Sequence, residues 1–239
     1  MADGKQVDIL AITAHPDDVE MGCGGTVIKL VNMGYSVGIV DLTRGEIGTR
    51  GSSEIRAKEA ENAASILGVS FRNILDLGDG ILMNNEPNRN VVVESIRKSR
   101  PKLVFTSHWF DDHPDHVQCS QLVKDAVFLA GVQNYLPEVS YHRTQGLVYI
   151  MGRGEFQPTF LVDISDEFDR KMDAIKAFES QFYKKESDEP ETALSDPDFL
   201  KIFETRGRFY GRMIGCKYAE PFYSKYPPKI TDPFASIFG

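Results

Sequence analysis

Near its start the chain carries an apolar run, residues 7–13 (Val7-Asp8-Ile9-Leu10-Ala11-Ile12-Thr13), of the length of a buried strand. Runs of the same kind recur at 36–42, 71–76, 102–107, 146–151 and 159–163. Helical spacing fills the early gaps between them. Ser52 or Ser53 is placed to cap a helix ending at Leu67, with Gly68 just beyond, and the helix holding Val92, Val93 and Ile96 stops before Pro101. Val123, Val127 and Ala130 mark another within 117–131. Later, Phe168, Met172, Ile175, Phe178 and Phe182 repeat at threes and fours behind Ser165 as a cap, and Phe199, Ile202, Phe203, Phe209 and Met213 form a second apolar stripe. Between the stripes, Lys184 to Pro197 is rich in Glu, Asp, Ser and Pro and reads as an exposed connector or a lid.

Alternating strand and helix patterns predict an α/β fold with a Rossmann-like, doubly wound, mostly parallel sheet. The expectation is one domain over 1–239, with a helical C-terminal extension from about residue 193.

Composition narrows the function classes. The 27 basic and 35 acidic residues give a net charge of −8 with no basic block, which argues against nucleic acid and anionic membranes as partners and for a small-molecule substrate. No apolar run approaches about 18 residues and no signal-like leader is apparent, so a cytoplasmic location is expected. Cys23, Cys119 and Cys216 are odd in number and widely spaced, which suits buried thiols rather than a disulfide framework.

Two short clusters change the picture further. Ala14-His15-Pro16-Asp17-Asp18 follows the first strand pattern, and His113-Pro114-Asp115-His116 comes shortly after the fourth. Both fall at strand-to-helix turns, where ligands bind in open α/β sheets. His15, Asp18 and His116 supply the three donors of a hydrolytic zinc site, which lowers the pKa of a bound water to about 7. Asp17 is then free to act as general base. Pro114 suits the first position of a helix, leaving His113 to meet an oxyanion in protonated form, with Asp115 setting the tautomer and pKa of an imidazole. Iron(II) or another divalent ion fits the same donors.

A competing reading comes from Gly22-Cys23-Gly24-Gly25 after the first strand and Asp41 at the end of the second, as in a dinucleotide-binding fold. Val27 in place of the third glycine, and the carboxylates of Asp17, Asp18 and Glu20, count against a pyrophosphate there. Tight helix packing explains the glycines better.

The two histidine motifs, on this strand order, resemble those of the LmbE/PIG-L family of zinc-dependent N-acetylglucosamine deacetylases. Asp41-Leu42-Thr43-Arg44-Gly45-Glu46, Gly48-Thr49-Arg50-Gly51, Glu54-Ile55-Arg56 and Glu179-Ser180-Gln181-Phe182 are similar to the bacillithiol-pathway branch, which acts on N-acetylglucosaminyl-malate. The resemblance implies an LmbE-like fold with one zinc per chain, ligated by His15, Asp18 and His116. It implies Asp17 as base, His113 as oxyanion stabiliser tuned by Asp115, and Arg56, Asp79 and Arg143 as substrate-binding residues. It also implies a homo-oligomer, a hexamer being common in the family. Some relatives carry a tyrosine just before the second motif, where this chain has Asp111 and Asp112. Arg44, Arg50 and Arg56 suggest charge-assisted contacts to a malate carboxylate, and Trp109 is placed either to pack on a sugar face or to serve the core or rim. A mycothiol-type conjugate amidase, a nucleotide-binding protein with incidental histidines and a non-catalytic sugar-binding module are the alternatives.

Overall fold

Every predicted apolar run forms a strand in the computed structural model, which describes residues 5–182 and 190–230. The order along the chain is β1 (Ile9–Thr13), α1 (Asp18–Asn32), β2 (Val37–Asp41), α2 (Ser53–Leu67), β3 (Phe71–Ile74), α3 (Glu86–Ser99), β4 (Leu103–Ser107), α4 (Pro114–Ala130), β5 (Gly146–Ile150), β6 (Phe160–Asp163), α5 (Phe168–Lys176), α6 (Lys201–Ile214) and β7 (Ala219–Ser224). The strands make one seven-stranded sheet in the order β3-β2-β1-β4-β5-β7-β6. β3, β2, β1, β4 and β5 run parallel, and β7 is antiparallel to both its neighbours.

The first strand explains why both faces are covered. Leu10 and Ile12 pack towards Val92, Ile96, Leu122 and Val123 of α3 and α4. Ile9 and Ala11 point the other way, into Val19 and Val27 of α1. Buried residues on alternate faces make β1 apolar from Ile9 to Ile12, as a central parallel strand requires. The chain reverses direction across the sheet between β1 and β4, which places the ends of these two strands at the topological switch point.

Helix ends follow the expected chemistry. Ser52 Oγ accepts the Ile55 amide, and Gly68 closes α2 at φ 79°. His113 caps α4 and Pro114 takes its first position. The glycines of 22–25 lie inside α1, and a Cβ on Gly25 would stand 2.7 Å from Ile164 Cδ1. They allow the helix to press against the sheet, as packing predicts. α1 bends at Cys23 (φ −148°, ψ 20°), and Glu220 of β7 accepts the amides of Gly25 and Thr26 just past the bend at 3.0 and 2.7 Å.

Three elements depart from the sequence reading. β7 was missed because Pro221 interrupts its pattern. Phe222 spends its carbonyl on the β6 side with Thr159, so Pro221 turns its missing N–H towards β5, where the ladder has already ended at Ile150–Phe222. The C-terminal segment is therefore not wholly helical over its described residues, where α6 leads into a strand of the sheet, and 231–239 of the expected extension lie outside the described residues. α5 stops at Lys176, short of Phe178 and Phe182, and Ser165 does not cap it; its hydroxyl instead holds Asp163 and accepts the amides of Lys217 and Tyr218. Residues 184–189 of the expected connector lie outside the described residues. Cys23 and Cys119 are buried and Cys216 is partly exposed, all three free thiols. No described helix is long and apolar enough to cross a membrane.

Candidate active site

Beyond β1 the chain turns sharply to start α1, and the turn is strained. Asp17 sits at φ 119°, a region that side chains with a Cβ rarely enter. Strain of this kind costs about 1–3 kcal/mol and persists where the surroundings over-determine it. Here the fixing partner is Arg56 of α2, whose Nη2 donates to Pro16 O at 2.7 Å and to Asp17 Oδ2 at 3.1 Å. Asp18 then opens α1 with Oδ2 accepting the His15 amide at 2.9 Å.

The second cluster arrives from the end of β4 at the same place. His116 Nε2 stands 3.1 Å from Asp18 Oδ1, and His15 Nδ1 stands 3.7 Å from Asp18 Oδ2. The far nitrogen of each ring is backed by a carboxylate. His15 Nε2 lies 3.0 Å from Asp79 Oδ1 and 3.2 Å from Asp115 Oδ2, while His116 Nδ1 lies 3.1 Å from Asp111 Oδ1, off the line of a regular hydrogen bond. These outer carboxylates are themselves anchored by main-chain amides. Asp79 accepts from Ile47, Asp115 from Gly80 and Leu82, and Asp111 from His113, Arg153 and Gly154.

His113 completes the group. Its Nδ1 accepts the Asp115 amide at 3.2 Å, so the proton of the neutral ring resides on Nε2. Ring nitrogens of His15, His113 and His116 lie within 4.8 Å of one another.

The electrostatics follow from this crowding. Burial pushes the Asp17 carboxyl up to about 7, against the pull of Arg56. Burial opposes charge on His15 and His116 as well, but hydrogen bonds and charge from their carboxylates outweigh it. His15 is raised well above the ordinary imidazole value and His116 to about 9. Burial acts in the same sense on His113, where the neighbouring His15 and His116 add to it instead of opposing it, so its pKa is lowered. With Nδ1 taken by the Asp115 amide, His113 offers Nε2–H as its donor.

Whether these residues suit a metal can be judged from the donors themselves. Asp17, Asp18, Asp79, Asp111 and Asp115 converge, and among the described residues Arg56 is the only guanidinium bonded to any of their side chains. The site is rich in negative charge, and two imidazoles turn a nitrogen towards one shared carboxylate with the other nitrogen backed by acid. That donor set fits a divalent cation held by His15, Asp18 and His116. In the alternative grouping of His15 with Asp79 and Asp115, the Asp115 oxygen facing His15 already accepts the Gly80 amide, while on Asp79 the Ile47 amide goes to the oxygen turned away from the ring.

Several sequence expectations are relocated. Asp115 does hold an imidazole, but that of His15; His113 receives only its amide. Asp79, expected at a sugar, backs His15 and also lines the cavity. Arg143 lies at the wrong end of α4, against Gly131. The helix has 17 residues, which separates Arg143 from His113 by about 25 Å at 1.5 Å per residue. Arg44 faces Asp76 and Arg50 donates to Phe182 O, and neither lines the cavity. Trp109 stacks on His108 at 3.9 Å and edge-on to Tyr149 and Tyr223, outside the cavity. Asp111 and Arg206 were missed. An acid two residues before a histidine motif was the available signal for Asp111; nothing local marked Arg206.

A cavity of about 740 Å³ opens over this cluster. Asp17, Asp18, His113 and His116 line one part, while Leu194, Phe199, Ile202 and Phe203 supply an apolar wall. The described part of the connector after α5 thus borders the site.

Residues 10–127 match the family model described as PIG-L, GlcNAc-PI de-N-acetylase. A diacetylchitobiose deacetylase of Thermococcus kodakarensis is 34% identical over 89% of this chain and 80% of its own length. A probable N-acetyl-α-D-glucosaminyl L-malate deacetylase 2 of Bacillus anthracis is 26% identical over 74% and 82%. Among solved structures, a conserved protein of Thermus thermophilus superposes with a TM-score of 0.87 at 37% identity, covering 95% of this chain and 98% of that one. The N,N′-diacetylchitobiose deacetylase of Pyrococcus horikoshii, complexed with an inhibitor, gives 0.79 at 28% identity over 96% and 88%.

Proposed function

This chain belongs to the PIG-L deacetylase family and is an N-deacetylase hydrolase; from that premise we propose that it removes the acetyl group of an N-acetylglucosaminide, as a single domain over 1–239. The observation that carries the reading is the pairing of His15 and His116 across Asp18, next to an Asp17 whose carboxyl is pushed up to about 7.

His15 through Nδ1, Asp18 and His116 through Nε2 would hold one divalent ion, zinc by the sequence expectation and iron(II) as the alternative. When bound, that ion supplies a Lewis acid for the acetyl carbonyl and for the attacking water. Asp17 takes a proton from the water as its oxygen bonds to the carbonyl carbon. His113 donates from Nε2 to the oxygen that gains the negative charge. When the C–N bond breaks, the proton held by Asp17 passes to the nitrogen, leaving free amine and acetic acid, which gives up its own proton to water to become acetate. Arg56 keeps Asp17 in its strained turn and facing the cavity.

For the substrate's remainder, the malate conjugate of the sequence reading is supported by the Bacillus anthracis relative. A second reading, a chitobiose-type disaccharide, is favoured by higher identity over more of the chain to the Thermococcus enzyme. The test is release of primary amine from N-acetylglucosaminyl-malate and from N,N′-diacetylchitobiose by protein supplied with zinc. Metal-dependent release from either supports the activity, and the faster substrate assigns the class; no release from any N-acetylglucosaminide would sink it. Homo-oligomerisation is also part of this reading, supported by exposed Phe110, Phe128, Phe209 and Met213, which association would cover.

A further inference from the structure

Arg206 projects from α6 into the same cavity as the histidine cluster, one turn beyond Ile202 and Phe203. Its Nη1 donates to Gly152 O at 2.9 Å, and among the described residues it has no carboxylate partner. Arg153, which also lines the cavity, has an exposed side chain and likewise no ion pair there. The acids at the same rim are already engaged: Asp198 with Lys201 at 2.6 Å, and Asp196 with the Asp198 amide at 2.7 Å. Asp111 and Glu155 act on Arg206 only through space.

A guanidinium partly removed from water without a counter-ion is unfavourable, and Arg206 gains little from a single carbonyl. Its remaining N–H groups suit the bidentate recognition of a carboxylate or phosphate. The main chain beneath it is fixed to the catalytic group. Gly152 O holds Arg206, and the next two amides, Arg153 and Gly154, bond to Asp111, which stands against His116. A charge bound here is therefore held at a set place relative to the reacting amide.

We propose that Arg206, with Arg153 at the rim, forms an anion subsite that selects N-acetylglucosaminides bearing a carboxylate or phosphate on the aglycone. This rests on the deacetylase reading and adds specificity residues to it. Neither arginine contacts the reacting atoms; both act on binding.

The test compares wild type, Arg206→Gln, Arg206→Lys and Arg153→Gln on N-acetylglucosaminyl-malate, N-acetylglucosamine 1-phosphate and methyl N-acetylglucosaminide. Wild type should show a KM at least tenfold lower for one anionic substrate than for the methyl glycoside, and which one identifies carboxylate or phosphate. Arg206→Gln should raise that KM at least tenfold more than the KM for the methyl glycoside, with kcat changed far less, and Arg206→Lys should recover part of the loss. Equal effects on all three substrates, or no preference in wild type, would overturn the subsite. Absence of turnover on all three would count against the deacetylase reading. Calorimetric binding of glucosaminyl-malate, glucosamine 1-phosphate and methyl glucosaminide then decides the subsite separately: tighter anion binding weakened by Arg206→Gln upholds it, and equal affinities reject it. Should Arg206→Gln fail to fold, exposed Arg153→Gln must still raise the anionic KM at least threefold and added salt must erode the preference; no change in either rejects the proposal.

Discussion

Arg56 and Asp17 form a buried ion pair, Nη2 to Oδ2 at 3.1 Å, across 39 residues of chain, and the same nitrogen holds the Pro16 carbonyl. The arginine thus fixes both the backbone of the strained turn and the direction of its carboxylate. Asp17→Asn preserves the side-chain shape and removes the proton acceptor. The expected loss in kcat is about a hundred- to ten-thousand-fold with zinc content unchanged. Steady-state rates paired with metal analysis check this, and a variant near full rate would remove Asp17 from the role of base.

Asp111 separates outer from inner groups at the metal. His116→Ala should abolish stoichiometric zinc binding, whereas Asp111→Asn should keep a site weakened about ten- to a hundredfold, because the carboxylate only orients and polarises the ring. Calorimetric zinc titration distinguishes the two. Equal loss in both variants would mean that Asp111 ligates directly.

Gly25 tests the packing account of the glycine run. A Cβ there would meet Ile164 Cδ1 at 2.7 Å and its Cβ at 2.9 Å. Gly25→Ala should therefore lower the stability by about 1–3 kcal/mol, read from the urea midpoint. Unchanged stability would show that α1 can move away from the sheet.

Asp8 provides a pH test away from the site. Hydrogen bonds from Lys102 and Ser36 hold its carboxyl down to about 2, from an ordinary 3.8. A depressed acid contributes stability that is present above 3.8 and lost as pH falls through about 2. The Lys102 partner is exposed, so screening limits the contribution to about 1 kcal/mol or less. The stability gap between wild type and Asp8→Asn should be largest near pH 5 and shrink steadily towards pH 2 in urea titrations. A gap that widens on acidification would reverse the assignment.

Arg72 shows where sequence reading runs out inside the fold itself. Its guanidinium bonds Asp41 at 2.6 and 3.0 Å and Glu20 at 2.6 Å, joining β3 to β2 and α1 beneath the active-site turn. In the sequence it is one polar residue in a strand pattern, and Asp41 entered through the dinucleotide-binding reading. Both belong to a buried ionic network, and Arg72→Met is expected to cost about 3–5 kcal/mol in equilibrium unfolding by leaving two acids unpaired. A loss below about 1 kcal/mol would mean that the acids find other partners or take up protons.

The order of amino acids alone carries the alternation of buried strands and helices, hence the doubly wound sheet, and it puts His15 to Asp18 and His113 to His116 at the ends of β1 and β4. Those features are local: hydrophobic period, capping residues and short motifs are written in adjacent positions. Which partner each group received was settled by packing. Asp115 lies two residues from His113 yet backs His15, a hundred residues away, because the α4 N-terminus turns its carboxylate towards the Gly80 amide. Arg143 looked suitable by type and was carried off by the length of α4, while Arg206, unmarked in its helix, was brought to the cavity by α6. Even β7 became a strand only because the sheet offered Pro221 a place where no N–H was needed. Partner choice depends on distances between segments far apart in the chain, and the packing of helices on the sheet sets those distances.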